Sequence, residues 1–479
     1  LDWFPDFVFD DTNNIDTYQE ENGTTSDYNN ELIGQVTGTA ILVLDGTDTS
    51  WVYSSSFYDQ KYRVIQSQST LYPNGSSMTS LKLDFIGTVE ESVEMQSVDE
   101  VTNKMHYYNT YDHALRPLET HVSINDQDMV LLSQNSYNEL GELVEKKLHS
   151  EDGASFLQTL DYDYNIRGWL TQINDPTNLS GDKFGMTLCY EDDGDIVNDH
   201  SFYNGNISAL KWTNAGGDEK AYSYDYDELN RIVSGIYYED QGSGWVVDGS
   251  YVTSYTYDLN GNIMSLSRNG DNYGTPIDIL SYTYIDNVNM LKTVHDSPGF
   301  GKVGFIDGSS ATVEYAYDAN GNMTQDLNKG IDIAYNHLNK PSLIETTDGT
   351  NSDDISYIYD ATGNKWLKSY SNTSGIANTM YAGAFVYDQD TSNYQLDYIL
   401  SAEGTVEMKS YTLKGYQYFL KDHLGNTRIV LSDQGIVEQT SDYYPFGMSF
   451  TNTQGGDNKN LYNVKEIQDD KLCGVNLYC

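Results

Sequence analysis

Basic residues, cysteine, proline and long apolar runs are all scarce in this chain, and each scarcity removes a class of answers. Only 26 Lys and Arg stand against 72 Asp and Glu, a formal net charge of −46. A surface that acidic repels phosphate backbones and anionic lipid, which disfavours nucleic acid as a partner. It suits high salt, a basic partner or loosely held divalent cations, and it keeps a β-rich chain soluble. Three cysteines, Cys189, Cys473 and Cys479, are too few and too scattered for a disulfide framework and read as free, partly buried thiols. No run of about 18 apolar residues occurs, so no membrane span is expected. Helical periodicity is missing as well. Eight histidines lie dispersed without i, i+4 pairs, so no zinc site is expected. Phosphate-loop, nucleophile-elbow and His-Glu-x-x-His motifs do not occur. The acidic run from Glu191 through Asp199 lacks the spacing of a calcium loop and would hold Ca²⁺ weakly at most; no cofactor is expected. The chain begins Leu1-Asp2-Trp3 with no basic-then-apolar leader, and reads as a piece of a longer product whose export signal lies upstream.

What is abundant is tyrosine (42) and glycine (40), the residues of strands and turns. They are organised by one phrase, Tyr-Asp-x-x-Gly-Asn followed by an apolar residue, written about ten times. Its clearest copies run Tyr257-Asp258-Leu259-Asn260-Gly261-Asn262 and Tyr317-Asp318-Ala319-Asn320-Gly321-Asn322; a third is Tyr359-Asp360-Ala361-Thr362-Gly363-Asn364. Others start at Tyr111, Tyr137, Tyr164, Tyr203, Tyr226 (with Asp227), Tyr284 and Tyr335. Residues 57–65 form a degenerate copy with Tyr62 where Gly is expected. Upstream of each copy aromatics alternate with period two, as in Tyr255/Tyr257 and Tyr315/Tyr317, which marks a strand. Asp can bond back to nearby N–H groups as an Asx turn, and Gly can take φ > 0. Each copy is therefore a hairpin. A lone hairpin is marginal in water, so the copies are expected to pair edge to edge, with phenol rings stacked between neighbours. Sheets twist, and a long one must curl.

These residues resemble the YD repeats of the Rhs family, also found in Tc-toxin cocoon subunits and in teneurins. The resemblance covers roughly residues 105–450 and is strongest near the end. There Asp422-His423-Leu424-Gly425-Asn426-Thr427-Arg428 and Tyr443-Tyr444-Pro445-Phe446-Gly447 look like the opening of the Rhs repeat-associated core. Residues 463–469 are similar to the segment that follows in many Bacteroidetes members. The resemblance implies a sheet spiralling into a hollow shell around a C-terminal polypeptide, usually a toxin, and in some members a core that cuts its own chain. The chain stops before the family's later Tyr-Asp-Pro-x-x-Gly-Arg-Trp segment and its cleavage region, so self-cleavage is not expected. The fold expected is all-β: hairpins joined into a long, curled antiparallel sheet, an incomplete β-shell. Its parts are a degenerate region at 1–104, repeats at 105–410, the core start at 411–450 and a truncated tail at 451–479.

Within the signature, Asp422-His423 suggests a general base, but it fills the Tyr-Asp turn slot and no nucleophile partner is evident. A packed imidazole in a turn is the simpler reading, as is a structural ion pair for Arg428. The function expected is a non-enzymatic wall segment of a secreted or cell-surface Rhs-type protein that encloses or presents a C-terminal effector absent from this chain. Two other readings are weighed against it: a carbohydrate-binding or adhesion module facing cell-surface glycans, and a self-cleaving protease.

Overall fold

The computed structural model describes residues 5–10, 29, 31–192, 196, 201–242, 244–271, 274–297, 304–347, 353–390, 392–409, 412–453, 458, 460, 466–468 and 477–478. Among them are 36 strands and no helix. Every strand pairing in the ladders is antiparallel, and the sheets do not close into a barrel. The acidic positions 193–195 and 197–199, Cys473, Cys479 and most of the tail at 451–479 lie outside the described residues.

One copy of the repeat explains why its residues are needed. The strand Thr253–Tyr257 turns and returns as Ile263–Asn269. The Asp258 N–H donates to the Asn262 carbonyl at 3.0 Å, and the Gly261 N–H to the Asp258 carbonyl at 3.2 Å. The Asp258 carboxylate closes the loop from inside. Its Oδ1 accepts the N–H groups of Asn260 (2.9 Å) and Asn262 (2.8 Å), and its Oδ2 accepts the Asn262 side-chain amide at 2.8 Å. Gly261 sits at φ 92°, where a Cβ crowds the backbone. The copies at Asp318, Gly321 and Asn322 and at Asp360, Gly363 and Asn364 build the same turn. Arginine can replace the asparagine: Arg231 Nε donates to Asp227 Oδ2 at 2.6 Å, and Arg63 and Arg116 bond Asp59 and Asp112 likewise. In the glycine slot, Tyr62, Leu115, Asn230 and Asn339 all keep a positive φ near 60°. The degenerate copy at 57–65 thus holds the turn against its own side chain.

Two further regularities join the copies. Tyr257 pairs with Ile263 while Thr256 pairs with Ser265, a bulge that recurs at Tyr226/Ile232, Tyr317/Met323, Tyr335/Pro341 and Tyr443/Ser449. Bulges bend a hairpin and increase its twist. The tyrosine hydroxyl then reaches the preceding copy. Tyr226 donates to the Ile207 carbonyl at 2.9 Å, Tyr257 to Ile232 at 2.6 Å, Tyr284 to Ile263 at 2.8 Å and Tyr317 to Leu291 at 2.9 Å. Each acceptor is the apolar residue that closes the turn before. These hydroxyl-to-carbonyl bonds add to the ring contacts expected between neighbours, of which Trp212 on Tyr222 (5.9 Å, 17°) and Phe202 on Tyr226 (5.1 Å, 83°) are examples.

The chain forms two compact units, each assembled from three stretches. In the first, the strands from Gly38–Leu42 to Val130–Tyr137 run as one meander, each bonded to the next. The stretch 355–417 joins it: Leu44 and Ala361 exchange backbone bonds with Tyr359 and Leu42, and Gln96 Nε2 donates to the Ala382 carbonyl at 2.9 Å. Ile65, Val122, Met380, Phe385 and Ile399 fill its core. In the second unit, consecutive strands from Phe184–Cys189 to Leu291–Asp296 carry a core of Trp212, Tyr222, Tyr255, Leu266, Leu280 and Val294. Cys189 is buried. The short strand Trp245–Val246 pairs with Glu239 and Asp240.

The glycine slot gives a paired test. Nothing stands within 4 Å of a Cβ at Gly425, so Gly425→Ala meets backbone strain alone and is expected to cost about 1 kcal/mol in urea denaturation. Leu115→Gly, at an exposed position of φ 64°, is expected to gain a similar amount. Equal effects of the same sign at both sites would refute the shared slot.

The turn carboxylates give a second. The backbone N–H of Arg116 and then its side chain hold Asp112 at about 2. The backbone N–H and then the side chain of Arg231 lower Asp227, and the Asn262 and Asn322 amides lower Asp258 and Asp318. Their folded pKa values lie below the unfolded ones, so the stability they contribute is full above about pH 4 and lost as pH falls toward about 2. Asparagine already fills this slot at Asn138, Asn165 and Asn336. A triple variant with Asn at positions 227, 258 and 318 should therefore lose less stability between pH 5 and pH 2.5 than the native chain does. An equal or larger loss, followed by thermal circular dichroism, would count against the assignment.

Candidate functional site

The residues singled out in the sequence near the chain's end form two hairpin turns of the second unit, at 422–426 and 444–448. Asp422 occupies the turn-aspartate position: its Oδ1 accepts the N–H groups of Leu424 and Asn426, its Oδ2 accepts the Asn426 amide, all at 3.0 Å, and Gly425 sits at φ 82°. The Tyr-Tyr-Pro-Phe-Gly element is a copy of the same turn in disguise. Tyr444 donates its N–H to the Met448 carbonyl and Gly447 donates to Tyr444, both at 2.8 Å, with Gly447 at φ 91°. Tyr443 supplies the repeat tyrosine, its hydroxyl donating to the Thr427 carbonyl at 2.7 Å. Tyrosine in the aspartate slot frees that side chain to reach outward.

What it reaches is sheet folded about 200 residues earlier. The Tyr444 hydroxyl donates to the Asn269 carbonyl at 2.6 Å, and Phe446 meets the Tyr255 ring edge-on at 4.8 Å. Pro445 lies over Gly235, where a Cβ would stand 3.1 Å from the proline ring and 2.9 Å from the Thr253 hydroxyl. Gly235 is therefore flat by necessity.

Beside this contact a buried ionic group holds the two turns to the strands Ala209–Asn214 and Lys220–Tyr226. Arg428, 3% exposed, donates through Nε to Asp422 Oδ2 at 3.0 Å and through Nη1 to Asp442 Oδ1 at 3.2 Å. Asp442 also accepts Trp212 Nε1 at 2.6 Å, Asn214 Nδ2 at 3.2 Å and Lys220 Nζ at 2.6 Å. The Arg428 guanidinium lies 5.1 Å from the Trp212 ring centre and 5.3 Å from that of Tyr443. Two carboxylates thus face two cations with their lone pairs bonded, the condition under which buried charge is tolerated. Burial alone would lower the Arg428 pKa; the charges of Asp422 and Asp442 outweigh it and raise it.

His423 stands outside this network. Burial lowers its pKa, against the opposing pull of Asp422, and its Nδ1 has no hydrogen-bond partner. It is a packed imidazole whose Nδ1 meets no nucleophile. Among the described residues no group of three His, Cys, Asp or Glu could hold a metal ion. The arrangement is a clasp between these segments. Asp422, Gly425, Asn426 and Arg428 were legible in the sequence. Asp442, Trp212 and Lys220 were not: the alternation of Val437–Tyr443 marks Asp442 as a strand residue, but nothing local pairs it with a tryptophan 230 residues away.

The Teneurin YD-shell family model matches residues 202–458, more than half of the chain and both halves of the clasp. The chain belongs to the teneurin YD-shell family. The YD-shell fold is also similar to solved structures. One is the crystal structure of TcdB2-TccC3 (TM-score 0.59, 14% identity, 88% of this chain and 25% of that one). Another is a structure of the Photorhabdus luminescens Tc holotoxin pore (TM-score 0.60, 14% identity, 88% and 24%). Among curated proteins, the tRNA nuclease WapA of Bacillus subtilis (strain 168) is 26% identical over 199 residues, 38% of this chain and 8% of WapA. This YD-shell chain spans about a quarter of the length of those solved chains.

Removing one partner of a buried ion pair leaves uncompensated charge. Arg428→Leu is expected to destabilise by about 3–5 kcal/mol, and Gly235→Val, which unseats Pro445, by more than 1 kcal/mol. Urea denaturation followed by tryptophan fluorescence reads both. A loss below about 1 kcal/mol for Arg428→Leu would show that the clasp holds nothing.

Proposed function

We propose that this chain is a wall segment of a secreted or cell-surface Rhs-type protein whose full-length product encloses or presents an effector polypeptide. The observation that carries this reading is the clasp. The C-terminal signature uses Asp422, Arg428 and the Tyr443–Gly447 turn to lock one part of a β-wall to another. The family match and the likeness to Tc toxin structures support a structural shell role. One of the two solved structures is, by its name, a Tc holotoxin pore. The names of relatives also include a nuclease, but the matched portion is 8% of that protein, and this chain's charge of −46 opposes an RNA substrate. We read the chain as non-enzymatic. Sugar stacking gains no support from the rings it would need: Tyr222, Tyr237, Tyr255 and Tyr315 are buried.

An antibody raised against the purified chain tests the proposal in cells that produce it. The expected result is a product outside the cytosol that protease trims to a resistant core, with a further polypeptide segment protected inside it. A purely cytosolic product, or a further segment digested as fast as free polypeptide, would overturn the proposal.

A further inference from the structure

Next to the clasp, on the 237–251 segment, is a cavity that the lock does not use. Its floor is aromatic: the Tyr237 and Tyr251 rings meet edge to face at 5.1 Å and 82°, and Tyr251 stacks on Phe450 at 4.1 Å and 26°. The cavity holds about 190 Å³, and Glu239, Asp248, Asp271 and Ser250 are among its walls. It shares Tyr251 and Asp271 with a neighbouring cavity of about 360 Å³ that has Tyr444 and Phe450 in its wall.

Four properties of this place point to one kind of ligand. Three carboxylates surround it, and its one cation, Lys220, already donates to Asp442 at 2.6 Å. Ser250, 5% exposed, has its Oγ buried with no hydrogen-bond partner, an unused acceptor in the wall. Tyr251 is held in the left-handed region at φ 54°, its carbonyl accepting the Tyr222 hydroxyl at 2.9 Å and its N–H bonded to Gly270 at 3.1 Å. Such strain concentrates where a ring must be presented in one orientation. The surrounding charge is felt at that ring: burial first, then Asp271, Asp442, Glu239 and Asp248, push the Tyr251 hydroxyl up to about 12. Ring faces attract cations, carboxylates pair with them, and the serine oxygen completes the shell. A bare metal ion does not suit, since among the described residues no acidic trio is close enough to bind one. At about 30 Å³ per water, the cavity has room for about six waters, the size of one side-chain head and stem.

We propose that this cavity takes the ammonium or guanidinium head of a lysine or arginine side chain borne on a basic polypeptide segment. The rim carboxylates draw the charge in, the Tyr251 ring lies against it, and Ser250 Oγ accepts one of its N–H groups.

Titration calorimetry in about 150 mM NaCl, where diffuse attraction to the acidic surface is screened, tests this on the full chain. The probes are acetyl-Gly-Arg-Gly-amide, acetyl-Gly-Lys-Gly-amide, the uncharged acetyl-Gly-Gln-Gly-amide and calcium chloride. The charged peptides are expected to bind with Kd near ~1 mM or tighter, and the glutamine peptide at least tenfold more weakly. Glu239→Gln with Asp271→Asn, at partly and fully exposed positions, should weaken binding at least tenfold while leaving the urea midpoint unchanged. Tyr251→Asn, which tolerates the left-handed backbone, should also weaken binding at least tenfold. The proposal falls if the glutamine peptide binds as well as the charged ones, if none binds, if calcium displaces the peptides, or if the carboxylate variants leave affinity unchanged.

Discussion

A phenol hydroxyl reaching back to the carbonyl of the preceding turn is the contact on which this molecule rests. Repeat proteins gain stability from the interface between neighbours more than from any unit alone. Here that interface is a hydrogen bond of fixed register, from Tyr257 to Ile232 and from Tyr317 to Leu291, laid over the antiparallel ladder. Slipping a strand by one residue would turn its tyrosine to the other face and orphan a buried hydroxyl. The bulge after each turn places the hydroxyl, the Asp-Gly-Asn loop fixes the bulge, and so each letter of the repeat serves the same bond.

Such an array has no intrinsic end, and its acidic surface resists compaction. The clasp answers both difficulties in the second unit. The 422–426 turn keeps the repeat's side chains and adds Arg428 on the strand that follows, while the 444–448 turn keeps the backbone but places Tyr444 in the aspartate slot. The same hairpin geometry that elsewhere links nearest neighbours here links segments about 230 residues apart. Closing so long a loop costs chain entropy, offset by ionic, aromatic and apolar contacts gathered at one place. The clasp leaves His423 as a packed ring beside it.

Much of this was legible in the chain itself. The Tyr-Asp-x-x-Gly-Asn phrase fixes strand, turn and return locally, because the Asx bond and the positive φ are decided within six residues. The all-β class and the placement of Asp422 in a turn follow from the same short-range chemistry, as does the absence of helix among the described residues. Even Tyr62 and Leu115 in the glycine slot obey the turn set by their aspartates.

Tertiary structure decided the rest. It added hydroxyl-to-carbonyl bonds to the expected ring contacts, since the bulge shifts register by one residue in a way that composition does not encode. It revealed residues 443–448 as another copy of the turn, hidden because Tyr444 stands where Asp is the signal. It chose Asp442, Trp212 and Lys220 as the partners of Arg428. Local sequence determines how each hairpin is made because its hydrogen bonds close within a few residues. Which hairpins meet depends on the twist accumulated over hundreds of residues, and that is set only when the whole sheet is folded.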